Sequence, residues 1–149
     1  MGLSIESPAF ANNGFIPVQY TCDGADSSPP LLWKDAPVQT KSYVLIVDDP
    51  DAPAGTWVHW VLFNIPADVK QLNGSGLPAG AESGKNSWGK VGYGGPCPPS
   101  GTHRYFFKLY ALDTVLTLTS SANKQDVLKA MQNHVLESSE LIGLYSRKS

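Results

Sequence analysis

Tyr43-Val44-Leu45-Ile46-Val47-Asp48-Asp49-Pro50 and, after a short link, Trp57-Val58-His59-Trp60-Val61-Leu62-Phe63-Asn64-Ile65-Pro66 decide the fold of this 149-residue chain. Each is a short apolar run rich in β-branched and aromatic residues and stopped by proline, which reads as a buried strand. A third run over 104–112 alternates: Tyr105, Phe107, Leu109 and Ala111 share one face, while Arg104, Phe106, Lys108 and Tyr110 share the other. Shorter strand candidates are 3–7, 19–20, 31–33, 115–118 and 141–145. One helix is expected over 124–136, with Asn123 as its N-cap, Asp126 in the first turn, and Val127, Leu128, Met131, Val135 and Leu136 along one stripe. Many strands and a late helix, without alternating βαβ units, point to a mainly β protein, an antiparallel β-sandwich with a C-terminal helix.

Length and composition fit one domain over 1–149, with 42% hydrophobic residues to fill a core. The net charge of -2 comes from scattered charges, so no basic surface for nucleic acid is implied. No apolar stretch approaches membrane-spanning length and the first residues lack a secretory pattern, which makes a cytoplasmic protein without membrane insertion the default expectation. Cys22 and Cys97 are too few for a disulfide framework; the plain expectation is two reduced thiols, the alternative a close pair, since both sit in loops. Between Pro66 and Thr102 the chain carries 9 of its 14 glycines and 5 of its 12 prolines, with Trp88 and Tyr93 embedded. A connection that long is expected to be a packed, functional Gly/Pro-rich loop.

Polar residues stand where these strands point apolar ones. Asp49 shares parity with Leu45 and Val47, and His59 with Trp57, Val61 and Phe63. Burying a carboxylate or imidazole without partners costs several kcal/mol, so both should be paired or open onto a pocket. The short link 50–56 places the end of the first strand beside the start of the second, so Asp49 and His59 are expected to meet. His103 and Tyr105 share a face with Phe107 and Leu109, but their pole cannot be read from parity.

The segments Asp49-Pro50-Asp51-Ala52-Pro53, Trp57-Val58-His59-Trp60, Gly95-Pro96-Cys97-Pro98-Pro99 and His103-Arg104-Tyr105-Phe106-Phe107 resemble the phosphatidylethanolamine-binding protein family. Tyr20-Thr21-Cys22-Asp23-Gly24, Ser28-Pro29-Pro30-Leu31-Leu32-Trp33 and the ending from Lys129-Ala130-Met131 to Leu141-Ile142-Gly143 extend the likeness to the bacterial and archaeal, Raf-kinase-inhibitor-like branch. The resemblance implies a sandwich of two antiparallel sheets with an anion pocket at one end, lined by Asp49, Pro53, Trp57, His59, the Cys97–Pro99 backbone, His103 and Tyr105.

The residue chemistry suits such a pocket. Two imidazoles and a tyrosine hydroxyl can donate to phosphate oxygens, Asp49 can fix a histidine tautomer, and Trp57 with Trp88 or Tyr93 can form apolar walls. The first functional expectation is therefore a regulatory protein binding a small phosphate-bearing ligand, without cofactor or metal. The second is an enzyme, either a hydrolase using Ser100 with Asp49 and His59 or a metal site of Asp49, His59 and His103. The third, which the resemblance permits, is inhibition of a protein target, a kinase or protease; a homodimer is compatible with any of them. Asp51 reads as a turn residue, Arg104 as a salt-bridge or surface residue, and His134 as a surface residue.

Overall fold

The computed structural model describes residues 2–74 and 76–147. In chain order it runs β1 (Ser4–Glu6), β2 (Gly14–Phe15), a 3-10 turn (Val18–Tyr20), β3 (Leu31–Lys34), β4 (Ser42–Asp49), β5 (Trp57–Pro66), β6 (Gln71–Leu72), β7 (Glu82–Ser83), β8 (Thr102–Leu112), α1 (Lys124–Met131) and β9 (Val135–Ser146). Two sheets result, one ordered β1-β3-β6 and the other β2-β9-β8-β4-β5-β7. The mainly β sandwich with one late helix is as expected, and every strand pair is antiparallel except β2 with β9, which run parallel over Gly14↔Gly143 and Phe15↔Leu144.

All eight residues of β4 are buried, and the reason is its central place between β5 and β8 with a core on each face. On one face Tyr43, Leu45 and Val47 join Trp60, Leu62, Phe107 and Leu109 against Ile5, Leu31, Trp33 and Leu72 of the small sheet. On the other, Val44 and Ile46 join Val61 and Phe63 beneath Val127 and Met131 of α1. Asp48 projects to this helix side, 1% exposed, and is neutralised by Lys124 Nζ at 2.8 Å and Lys108 Nζ at 3.4 Å. Among the described residues, no helix is long and apolar enough to cross a membrane.

Three sequence expectations need correction. The helix stops at Met131 rather than Leu136, because Asn133 takes a left-handed φ of 70° and turns the chain into β9, which claims Val135 and Leu136. Residues 19–20 lie in the 3-10 turn after Pro17 instead of a strand. Residues 115–118 form no strand: the backbone N–H and C=O of Leu116 are satisfied by the Asn64 side chain, at 2.8 Å each. Asn64 can reach out because it sits at φ 57° in an irregularity of β5.

Candidate functional site

Because β4 is antiparallel to both β5 and β8, its C-terminal end lies beside both of their N-terminal starts. This brings Asp49, Trp57, His59, His103 and Tyr105 to one pole, including the third segment that parity could not place. A β-bulge completes the arrangement. Val47 pairs with Trp60 but Asp48 pairs with Val58, leaving His59 as the extra residue. From there parity reverses, so Val61 and Phe63 face the helix while Trp60 and Leu62 face the other sheet. The expectation that His59 shares a face with Val61 and Phe63 is thus corrected; it keeps company with Trp57 at the pole.

The partner expected for Asp49 is corrected as well. Its Oδ2 accepts from His103 Nδ1 at 2.6 Å, and its Oδ1 accepts from the Asp51 amide at 2.8 Å. His59 instead points Nδ1 at the Gly94 carbonyl, 2.7 Å away. A carbonyl only accepts, so Nδ1 carries the proton and Nε2 of the neutral ring is left as an acceptor. Burial lowers the His59 pKa from its usual 6.5, opposed by the Gly94 carbonyl and the charges of Asp49 and Asp48. Among the described residues, no hydrogen bond within the chain engages Nε2 of His103.

Between the rings stands Tyr105, 1% exposed, whose hydroxyl is buried and has no hydrogen-bond partner among the described residues. Its ring meets His59 edge-on at 5.2 Å and stacks towards His103 at 6.4 Å. Burial first, then the charge of Asp49, pushes the phenol pKa up, so the hydroxyl stays a proton donor.

The long Gly/Pro-rich loop folds over this pole as a wall. Trp88 packs edge-on against His59 at 5.1 Å and Trp57 at 5.5 Å. Gly94 makes that approach feasible, since a Cβ there would lie 2.3 Å from the indole. Tyr93 donates to the Tyr20 carbonyl at 2.7 Å, and the Gly95 amide donates to Asp26 Oδ1 at 2.8 Å. Cys22 and Cys97 form a disulfide with Cα atoms 5.4 Å apart, which overturns the expectation of two reduced thiols. The cause is the packing of the loop around Cys22 directly against the one around Cys97. Arg104 forks onto Asp51 through Nε and Nη2, both at 2.9 Å, and holds the Asp51 pKa down to about 2. This ties the loop after β4 to the start of β8.

The result is a cavity of about 890 Å³ whose lining includes Asp49, Pro53, Trp57, His59, Cys97, Pro99, His103 and Tyr105. The structure therefore brings all eight candidate residues together. It adds Asp26 and Lys90, which sequence reasoning missed because nothing in their polar loops sets them apart from other solvated charges. Ser100 is exposed and outside the lining, so the triad reading finds no geometry. Among the described residues, no group of three His, Cys, Asp or Glu is disposed to hold a metal ion, so Asp49, His59 and His103 do not converge as ligands.

The family model for phosphatidylethanolamine-binding proteins matches residues 6–146. A UPF0098 protein of Methanothermobacter thermautotrophicus is 54% identical over 97% of this chain and 99% of its own length, and one of Pyrococcus horikoshii is 47% identical over 99% and 78%. Among solved structures, a phosphatidylethanolamine-binding protein homolog from Chlamydia trachomatis superposes with a TM-score of 0.95 at 40% identity, covering 99% of both chains. E. coli YbcL, a member of the mammalian family, superposes with a TM-score of 0.91 at 33% identity, covering 98% of this chain and 99% of its own. With nearly the whole sequence matched and the same sandwich in its relatives, the chain belongs to the phosphatidylethanolamine-binding protein family.

Proposed function

We propose that this chain is a regulatory binding protein whose cavity takes up a small phosphate-bearing group. The observation that carries this reading is the buried, unpartnered Tyr105 hydroxyl between two imidazoles. A buried polar group without a partner costs about 1–3 kcal/mol, a deficit that a ligand oxygen would remove. A phosphate monoester brings acceptor oxygens and a charge of about -1.5 to -2 at neutral pH. His103, oriented by Asp49, and His59, oriented by Gly94, supply the flanking ring nitrogens. Burial disfavours the charged form of the His59 ring in the free protein, and an anion beside the ring favours it, so binding is coupled to uptake of a proton that makes His59 a second donor. A phosphorylated metabolite or a phosphorylated side chain of a target kinase or protease would present this monoester group, and a phospholipid headgroup the singly charged phosphodiester.

Titration calorimetry with inorganic phosphate and phosphoethanolamine at mildly acidic pH tests this. Binding is expected, and Tyr105→Phe should weaken it by roughly 10- to 100-fold, the loss of one hydrogen bond to a charged group. Absence of heat with both ligands defeats the reading.

A further inference from the structure

Cys22 and Cys97 both line the cavity, and each belongs to a different wall segment. The Cys97 segment includes Gly94, whose carbonyl sets the tautomer of His59, and Gly95, whose amide binds Asp26. The Cys22 segment includes Asp26 and ends at the Tyr20 carbonyl that receives Tyr93. Apart from the disulfide, only single hydrogen bonds join the two among the described residues: those two and Cys22 N–H to the Pro96 carbonyl at 3.1 Å. Both cysteine residues are exposed at the surface. Arg147 places Nη1 3.7 Å from Cys97 Sγ, while its Nε and Nη2 hold Asp23 at 3.1 and 3.0 Å.

We infer that the Cys22–Cys97 bond is a thiol-exchange site through which a dithiol reductant controls the cavity. A thiolate of the reductant attacks Cys22 Sγ, forming a mixed disulfide and expelling Cys97 as the thiolate, which the adjacent guanidinium favours. The second thiol of the reductant then attacks its own sulfur in the mixed disulfide. Cys22 leaves as a thiolate and is protonated, as Cys97 is in turn. The protein disulfide gains two electrons and two protons, and the dithiol is oxidised to its own disulfide. Once the link is cut, the 95–97 segment is held to the 20–26 segment by those hydrogen bonds alone, and loosening there reaches the His59 ring through Gly94, whose carbonyl accepts from Nδ1 and whose amide donates to the His59 carbonyl at 2.9 Å. The oxidised form is the binding form and the reduced form the weak one. This inference rests on the phosphate reading for its ligand but not for its structural effect.

The test compares the oxidised protein with protein reduced by dithiothreitol, with a Cys22→Ser/Cys97→Ser variant as a reagent-independent reduced form. Inorganic phosphate is titrated into each, and the His59 ring nitrogens are followed by NMR. Phosphate should bind the oxidised form roughly tenfold more tightly than the reduced one, within the usual range of coupling between sites. By reciprocity, phosphate should raise the dithiothreitol ratio needed for half-reduction by the same factor. The His59 signals should shift on reduction whether or not phosphate is present. Should the double variant fail to fold, the reduced wild-type protein carries the comparison. Equal phosphate affinity in the two redox forms overturns the inference, as does a disulfide that resists dithiothreitol in the folded protein. If the oxidised protein binds no phosphate, the functional reading fails, and this inference then stands or falls on whether the His59 signals move.

Discussion

His59 illustrates how a single side chain couples the fold to pH. Its folded pKa lies below the 6.5 it has when exposed, because burial penalises the charged ring. Below that value the unfolded chain binds a proton that the folded chain does not, so this group's share of stability is complete above pH 6.5 and is lost as pH falls towards the depressed value. Urea midpoints from about pH 7.5 down to about pH 5 should therefore fall more steeply for the wild type than for His59→Gln. Equal slopes would show that the ring is not held neutral. Under the proposed function, phosphate affinity should run the other way, since a complex that takes up a proton at His59 weakens as pH rises. At this scale the residue types of the site were legible, because Asp49, His59, His103 and Tyr105 stand in apolar periodicities. Their partners were not: the choice of His103 over His59 by Asp49 depends on a bulge and on a carbonyl contributed 35 residues later.

Elements with strong local signals were legible, and those defined by partners were not. β4, β5 and β8 announce themselves by long apolar runs, whereas β6 and β7 are two residues each and exist only through their neighbours. The stripe of α1 misled at its end, where Val135 and Leu136 continue the helical spacing into a strand; Asn133, a residue that tolerates left-handed backbone, was the available signal. The start of the helix was readable from its cap. Asn123 Oδ1 accepts from the Asp126 amide at 3.0 Å, and Asp126 Oδ2 accepts from the Asn123 amide at 3.0 Å. Asn123→Ala should cost about 0.5–2 kcal/mol in chemical denaturation. Phosphate affinity should be unchanged, because neither Asn123 nor any residue of α1 lines the cavity. A fall in affinity larger than twofold would contradict that separation.

For the molecule as a whole, the core between the sheets is the shared support of both the fold and the site. Phe107 is fully buried there, its ring 5.6 Å from that of Phe10 and its strand position two residues from Tyr105. Phe107→Ala should cost about 3–5 kcal/mol by thermal or urea denaturation, a large part of the 5–15 kcal/mol typical of a domain. A loss under about 1 kcal/mol would mean that the small sheet closes the gap. The sandwich was legible as a class from strand number and spacing, but the pairing of β2 with β9 was not, because two residues at Gly14 carry no period. That pairing also shapes the order of events during synthesis. The amides of Leu3 and Ile5 bond to Glu137 and Ser139 side chains, and those of Asn13 and Ile16 to the carbonyls of Ile142 and Leu144. The amides of residues 3, 5, 13 and 16 thus find these partners only when residues 135–146 follow, and until then β8 has a bare edge that a chaperone or a neighbouring nascent chain could occupy.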